Sequence, residues 1–194
     1  ETLDIYQADT FREIDASKAV MWLPCRTTFN DGANVVTENI GTGANVTMGA
    51  GDGGTTTPTQ LSPHGFDFDN ANDYMDCESD NLGTGNITFG AMIKLDSWTQ
   101  TLPRVFYNGK TLLIGNNTNK NLIVSSDGST TIQSATNSIS TGKWYHVAVA
   151  RTSAGLASVY VNGELSGTAS QNSGTPEAGT GNTLIGNDGV APAK

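Results

Sequence analysis

The stretch TGKWYHVAVARTSAGLASVYVNGELSG, residues 141–167, decides the fold. Its first part, Lys143–Arg151, is rich in β-branched and aromatic residues and contains no glycine or proline, which is typical of a strand. A turn at Ser153–Gly155 leads into a second apolar run, Leu156–Val161. Asn162-Gly163 follows, and this dipeptide predicts a type I′ hairpin turn because both of its central residues need positive φ.

The first of these strands has two apolar faces. Trp144, His146 and Ala148 alternate with Tyr145, Val147 and Val149. A strand of this kind is typical of the middle of a sheet that is covered on both sides. We therefore predict that the strand is central and that Trp144 and His146 are core residues. Trp22, nearer the start of the chain, is also predicted to lie in the core.

Similar short runs continue on both sides of this stretch. Charged residues make up only 15% of the chain while glycine numbers 23, a composition that suits short strands joined by turns. Turn dipeptides at 108–109, 116–117 and 127–128 predict a meander of hairpins. Further strands are predicted at Ala19–Cys25, Val35–Ile40, Ala44–Met48, Gly65–Phe68, Asp73–Cys77, Ile87–Leu95, Pro103–Tyr107, Thr111–Ile114, Asn121–Ser125, Thr130–Ser134 and Thr183–Ile185, with Gly65–Phe68 pairing with Asp73–Cys77. The pattern predicts an all-β fold, an antiparallel two-sheet sandwich.

The same residues carry a resemblance to a known family. The segment WYHVAV, residues 144–149, followed by VYVNGEL, residues 159–165, resembles the laminin G-like group of concanavalin A-like jelly-roll domains. GFDFDNANDYMD (65–76), ITFGAMIKL (87–95) and TLIGND (183–188) resemble further strands of that group. The resemblance implies a jelly-roll sandwich, a fold that hosts lectins, glycanases, adhesion modules and structural domains, so it does not fix the function.

The resemblance divides the chain into an N-terminal arm, residues 1–18, and a laminin G-like sandwich, residues 19–194. Members of this group close with a strand after the Leu-x-Ile-Gly segment, and this sequence shows no such strand there. Leu3–Tyr6 has suitable apolar alternation. We expect the arm to complete a sheet, in the same molecule or in a neighbouring one, because proteins avoid long open edge strands.

The charge of the chain excludes some partners. The formal net charge is -9, and no basic stripe is present to neutralise phosphates, so nucleic acid is not expected as a partner. No run of 18 apolar residues occurs, so no membrane span is expected. We expect an extracellular protein, or one on the surface of a virus particle.

Two cysteines, Cys25 and Cys77, leave two interpretations open. They are either buried free thiols or one disulfide, which would stabilise the fold by roughly 3–4 kcal/mol through loop closure and would indicate an oxidising compartment.

Catalysis is not expected. Retaining glycanases with this fold use two carboxylates about 5 Å apart as nucleophile and acid/base. The glutamates of this chain are instead scattered singly, and the Glu-x-Asp-x-Glu pattern of such enzymes is absent.

A calcium site is a candidate because hard oxygen ligands cluster in one segment. Asp67 and Asp69 share one face of a predicted strand, and Asn72 and Asp73 follow closely. Calcium takes six to eight oxygen ligands, often from such a turn. The alternative is a solvated acidic turn whose side chains bond their own backbone.

Ligand recognition needs exposed aromatic rings for stacking and amides for hydroxyl groups. The candidates are Trp98, Tyr107, Asn108 and Asn117. The sequence therefore favours a non-catalytic recognition module for a glycan or a cell-surface ligand. The alternative is a structural module on a virion, tail fibre or extracellular filament, in which the arm makes subunit contacts or the chain forms a homo-oligomer.

Overall fold

The computed structural model describes residues 28–30, 35–37, 46–50, 59–61, 65–68, 73–99 and 103–186. These ranges hold strands and no helix, and accordingly none that is long and apolar enough to cross a membrane. The N-terminal arm, the predicted strand Ala19–Cys25 and Trp22 lie outside them. The strands are β1 Thr28–Asn30, β2 Val35–Thr37, β3 Val46–Ala50, β4 Thr59–Leu61, β5 Gly65–Asp67, β6 Asp73–Asp76, β7 Ile87–Lys94, β8 Arg104–Tyr107, β9 Leu112–Asn116, β10 Asn121–Ser125, β11 Thr131–Gln133, β12 Trp144–Arg151, β13 Leu156–Val161, β14 Glu164–Leu165, β15 Gln171–Asn172 and β16 Leu184–Ile185.

Two antiparallel sheets form a sandwich, which confirms the predicted fold class. The larger sheet has nine strands in the order β1-β2-β3-β6-β16-β8-β9-β10-β11. The smaller sheet has five strands, in the order β14-β13-β12-β7 with β15 paired to β13, and β4 and β5 form a separate pair. Strands β8 to β11 are the predicted meander, and β12 is central between β7 and β13.

The core lies between the two sheets. Val147 and Val149 of β12 and Phe89 of β7 pack there, together with Leu113 of β9. Phe89 meets Phe106 of β8 edge to face, with ring centroids 5.6 Å apart, the geometry in which the positive edge of one ring approaches the negative face of the other. A smaller apolar cluster lies near β3 and β6 and consists of Val46, Met75 and Cys77.

The Asn162-Gly163 hairpin forms as predicted. Asn162 and Gly163 have φ values of 52° and 82°, as a type I′ turn requires. Val161 pairs with Glu164 across the turn. The Asn162 side chain also accepts a hydrogen bond from the His146 backbone N–H at 2.9 Å, while the Asn162 N–H donates to the His146 carbonyl at 2.7 Å. The hairpin is thereby fastened to β12.

The prediction that β12 is covered on both sides is wrong. Val147 and Val149 are buried, whereas Trp144 is 52% exposed and His146 is also exposed. One face of the five-stranded sheet meets the core and the other, here called the outer face, carries Trp144, His146, Ala148 and Ala150 on β12. Trp144 is therefore an exposed aromatic residue of the outer face and is not part of the core.

The predicted pairing of Gly65–Phe68 with Asp73–Cys77 is also wrong. β5 pairs with β4, with Phe66 opposite Gln60. β6 lies instead between β3 and β16, with Met75 opposite both Met48 and Ile185. Proximity in sequence suggested a hairpin, but β6 is an interior strand of the nine-stranded sheet and both of its edges are occupied by other strands.

A buried arginine joins the two sheets. Arg151, at the end of β12, is 3% exposed. Its guanidinium donates to Thr111 Oγ1 at 2.9 Å, just before β9, and to three backbone carbonyls ahead of β7 at 2.7–2.9 Å: Leu82, Gly83 and Gly85. A buried charge is tolerated only when hydrogen bonds replace its hydration, and here they also fix the loop that leads into β7.

Replacement of this arginine is expected to destabilise the fold strongly. Arg151→Met keeps much of the side-chain volume but leaves buried carbonyls without a donor, and each such loss costs about 1–3 kcal/mol. We expect the free energy of unfolding, measured by chemical denaturation, to fall by about 3 kcal/mol or more. The control is Lys94→Met on β7, an exposed position, where a change within about 0.5 kcal/mol is expected. Equal losses in the two variants would contradict the role given to Arg151.

Candidate functional site

An open groove of about 500 Å³ lies on the outer face of the five-stranded sheet. Three of the strands provide its floor, and the loops that flank them provide its rim. The residues that line it are Asn86, Ile87, Thr88, Ala150, Arg151, Thr152, Leu156, Ser158, Tyr160 and Ser170.

The floor of the groove is low because its side chains are small. Ala150 of β12 pairs with Thr88 of β7 on one side and with Ser158 of β13 on the other. Directly opposite residues of antiparallel strands point to the same face. Tyr160 and Leu156, on the same face of β13, rise beside this floor. The result is a shallow channel with one aromatic wall.

Hydrogen bonds fix the rim. The Asn86 side chain accepts from the Ser153 N–H at 2.7 Å, which ties the loop before β7 to the turn after β12. Ser158 Oγ accepts from the Ser170 N–H at 2.8 Å and so places the turn before β15. Over the residues that the structure describes, the Asn86 amide nitrogen and the Tyr160 hydroxyl make no hydrogen bond to protein, so both are available to a ligand.

The groove carries no net charge at its surface. Its lining contains no aspartate, glutamate or histidine. Arg151 is the charged residue of the lining, and its guanidinium is buried in the hydrogen bonds described above. The groove therefore offers hydroxyl, amide and aromatic groups to a ligand, and no ionised group.

The outer face also gathers exposed apolar side chains. Among the described residues, the large hydrophobic side chains that are exposed are Met92, Trp144, Leu156 and Leu165. Each belongs to β7, β12, β13 or β14, and strand alternation and register place all of them on the outer face. Clustering of exposed apolar groups on one face marks an interaction surface.

A second polar network supports the loop beside the groove. The Asp80 carboxylate accepts from the N–H groups of Leu82, Gly83 and Gly179 and, at 2.7 Å, from the Asn108 amide. Burial alone would raise the pKa of Asp80, but these four hydrogen bonds outweigh it and lower the pKa. Asp80 is therefore held ionised, and it anchors the segment that presents carbonyls to the buried arginine.

The predicted calcium ligands are only partly within the described residues. Asp67 ends β5 and Asp73 begins β6, where it is buried, while Asp69 and Asn72 lie outside the described ranges. These two strands do not pair with each other. No group of three or more histidine, cysteine, aspartate or glutamate side chains suited to a metal occurs in the described part of the chain. Calcium binding stays a prediction.

The four predicted ligand residues are not brought together. Trp98 packs against the core with Lys120 Nζ 5.2 Å from its ring centre, and Asn117 lies in the adjacent β9–β10 turn. Tyr107 and Asn108 lie at the opposite end of β9, where Arg104 stacks over the Tyr107 ring at 5.3 Å.

Asn108 has a structural role. It is 2% exposed; its amide nitrogen donates to Asp80, and its oxygen accepts from the N–H groups of Lys110 and Thr111. The side chain thus closes the turn between β8 and β9, and no atom of it is presented to solvent for a ligand.

Of the two cysteines, Cys77 lies within the described residues. Cys77 is buried, and burial followed by the negative charge of Asp76 raises the pKa of its thiol to about 12. Cys25 lies outside the described residues, so the pairing of the two cysteines stays a prediction.

Sequence reasoning missed the groove. A signal for it was present in Leu156–Val161, where Leu156, Ser158 and Tyr160 alternate with small and branched apolar residues. The alternating set Ala157, Val159 and Val161 is the one that reaches the core. If one face of this strand had been assigned to the core and the other to a ligand, Tyr160 would have been selected as a candidate.

Comparisons with known proteins address the fold. A laminin G-like family model described as "Concanavalin A-like lectin/glucanases superfamily" matches residues 69–193. No curated protein sequence matches the chain.

Solved structures share the fold at low sequence identity. Trypanosoma rangeli sialidase superposes with a TM-score of 0.60 at 13% identity, over 84% of this chain and 27% of the sialidase. Its complex with sialic acid gives 0.59 at 14% identity, over 86% and 27%. A crystal structure of an HCR/D mutant gives 0.56 at 17% identity, over 87% of this chain and 42% of that chain. The chain thus spans less than half of each of these proteins, and the likeness is one of fold.

The Asp80 network predicts how stability depends on pH. Because the pKa of Asp80 is lower in the folded state, the unfolded chain binds the proton first as pH falls. The stabilisation is therefore complete above the unfolded aspartate pKa of about 3.9 and is lost progressively below it. Asp80→Asn should lower the free energy of unfolding at neutral pH and flatten its decline below about pH 4.

Chemical denaturation at several pH values checks this, with Asp96→Asn as the control. Asp96 is exposed after β7, so this variant should keep the wild-type dependence. An Asp80→Asn protein whose stability declines as steeply as that of the wild type below about pH 4 would contradict the prediction.

Proposed function

The chain belongs to the laminin G-like family of the concanavalin A-like lectin/glucanases superfamily, and we propose that it is a non-catalytic recognition module that binds carbohydrate in the outer-face groove. In this proposal the protein acts outside the cell, and its ligand is a glycan on a surface or in a polysaccharide.

The observation that carries the proposal is the composition of the groove. A sugar ring has an apolar face of C–H groups and a periphery of hydroxyls. Tyr160 offers an aromatic ring for the first, and Thr88, Ser170 and Asn86 offer hydroxyl and amide groups for the second. A low floor of alanine and serine leaves room for a ring to lie flat against the sheet.

The same lining supports binding without hydrolysis. Glycosidases of the common mechanisms need two carboxyl groups that flank the scissile bond, at about 5–9.5 Å from each other. The groove residues include no carboxylate, and the ionised Asp80 is committed to four hydrogen bonds of its own.

A second candidate role is that of a structural module, and the exposed apolar pair at one end of the outer face favours it. Met92 is 59% exposed on β7 and lies opposite His146, diagonally from Trp144 on β12. In the part of the chain that the structure describes, β7 is the last strand of its sheet. Such an edge suits contact with another copy of the chain or with the subunits of a virion or filament.

Replacement of Tyr160 tests the carbohydrate site. We expect Tyr160→Ala to weaken binding of a glycan selected on an array by at least about tenfold, or about 1.4 kcal/mol, because the stacking surface is lost. Titration calorimetry gives the affinities. The matched control is Tyr107→Ala, which removes a tyrosine of similar burial from the other sheet and should leave the affinity unchanged. Loss of binding in the control alone would move the site away from the groove.

Solution mass tests the structural role. That role predicts a defined oligomer of the 194-residue chain, and a monomer after deletion of residues 1–18, because the arm would make the subunit contacts. Light scattering measures both. A monomer before deletion would contradict the structural role and would leave the carbohydrate proposal standing.

A further inference from the structure

We propose that the groove is one end of a longer binding track, and that its ligand is an uncharged linear polysaccharide held by two aromatic side chains, Tyr160 and Trp144. This inference rests on the carbohydrate-binding function proposed above and specifies its ligand.

The register of the strands places both rings on one face, Tyr160 on β13 and Trp144 on the neighbouring strand β12. Tyr160 lies directly opposite Ala148 of β12. Trp144 precedes Ala148 by four residues on the same strand, an even number, so both side chains are on the outer face. At about 3.3 Å per residue, the two aromatic positions are about 13 Å apart along the strand. That distance exceeds a single sugar ring and suits an oligosaccharide.

The low floor of the groove continues from Tyr160 toward Trp144 over Ala148 and Gly90. Next to Ala148 on β7 lies Gly90, where a β-carbon would come within 2.5 Å of the Val147 carbonyl oxygen. The position therefore stays without a side chain, and the floor between the aromatic residues remains as low as that of the groove. His146 and Met92 are the next pair along these strands; both are exposed, and they lie between this floor and Trp144.

Trp144 exposes a large apolar surface to solvent. Removal of apolar aromatic surface from water is stabilising, and about half of the surface of Trp144 remains accessible. Over the described residues the indole N–H donates no hydrogen bond to the protein. A ring with an apolar face and a free donor matches a sugar unit, which has C–H groups and acceptor oxygens.

The charge pattern selects an uncharged chain. The groove lining has no carboxylate and presents no free cation. Lys94 lies opposite Trp144 on β7 and is paired with Asp96 at 3.4 Å. The chain as a whole carries a charge of -9, which repels sulfated or carboxylated polymers.

Oligosaccharides of increasing length test the track. The probes are cello-, xylo- and manno-oligosaccharides from disaccharide to octasaccharide, titrated calorimetrically into the full chain. We expect affinity in the binding series to rise at least tenfold between the disaccharide and the longest members. Trp144→Ala should abolish that rise, whereas Trp144→Tyr should preserve it. Tyr160→Ala should weaken every length.

The outcomes separate this inference from the function on which it rests. If Trp144→Ala keeps the wild-type length dependence, or if the disaccharide already binds as tightly as the octasaccharide, the track is overturned while the groove stands. If no uncharged oligosaccharide binds and Tyr160→Ala changes nothing on a glycan array, the carbohydrate function itself is overturned. Sulfated forms of the same oligosaccharides should bind at least tenfold more weakly, and equal or tighter binding would overturn the choice of an uncharged ligand.

Discussion

The rest of the structure depends on the hydrogen bonds that surround one buried guanidinium. Arg151 ends the central strand of the smaller sheet and reaches a threonine that precedes a strand of the larger sheet, together with carbonyls of the loop that enters β7. A charge removed from water must recover several kcal/mol of hydration from its neighbours. The chain meets that requirement by folding the loop around it, and Asp80 holds the same loop from its other side. The residue at the end of this loop, Asn86, forms the rim of the groove. The candidate site is therefore held in place by a polar network within the sandwich.

The two faces of the smaller sheet differ in composition. The inner face supplies valine, phenylalanine and alanine to the core. The outer face carries aromatic rings, hydroxyl groups and small side chains over the described strands. A binding surface on strands is more rigid than one on loops, because ladder hydrogen bonds fix each strand to its neighbours. The proposed carbohydrate site is thus preorganised, which reduces the entropy lost on binding.

The sequence was informative wherever a local rule decides the structure. Asn162-Gly163 predicted its hairpin because few residue pairs accept two positive φ values, and the strands Asn121–Ser125 and Leu156–Val161 have the predicted bounds. Two questions were not local. Which face of β12 is covered depends on a second layer that the strand itself does not encode, so Trp144 was assigned to the core by its apolarity alone. The partner of β6 depends on strands distant in sequence, so the nearest segment was chosen and it was the wrong one. The groove combines residues from three strands and their loops, and no single segment contains its pattern.

The alternation of the three long strands of the smaller sheet has a consequence for how the protein can change. In β7, β12 and β13 every even-numbered residue faces outward and every odd-numbered residue faces the core. Each of these strands therefore has one set of residues on the outer face and a separate set in the core. Substitutions at even positions can therefore change the outer face without disturbing the core. Because side chains alternate along a strand, an insertion of a single residue would turn the outward residues toward the core and the core residues outward. Variation of the outer face is therefore expected to occur by substitution within strands of constant length.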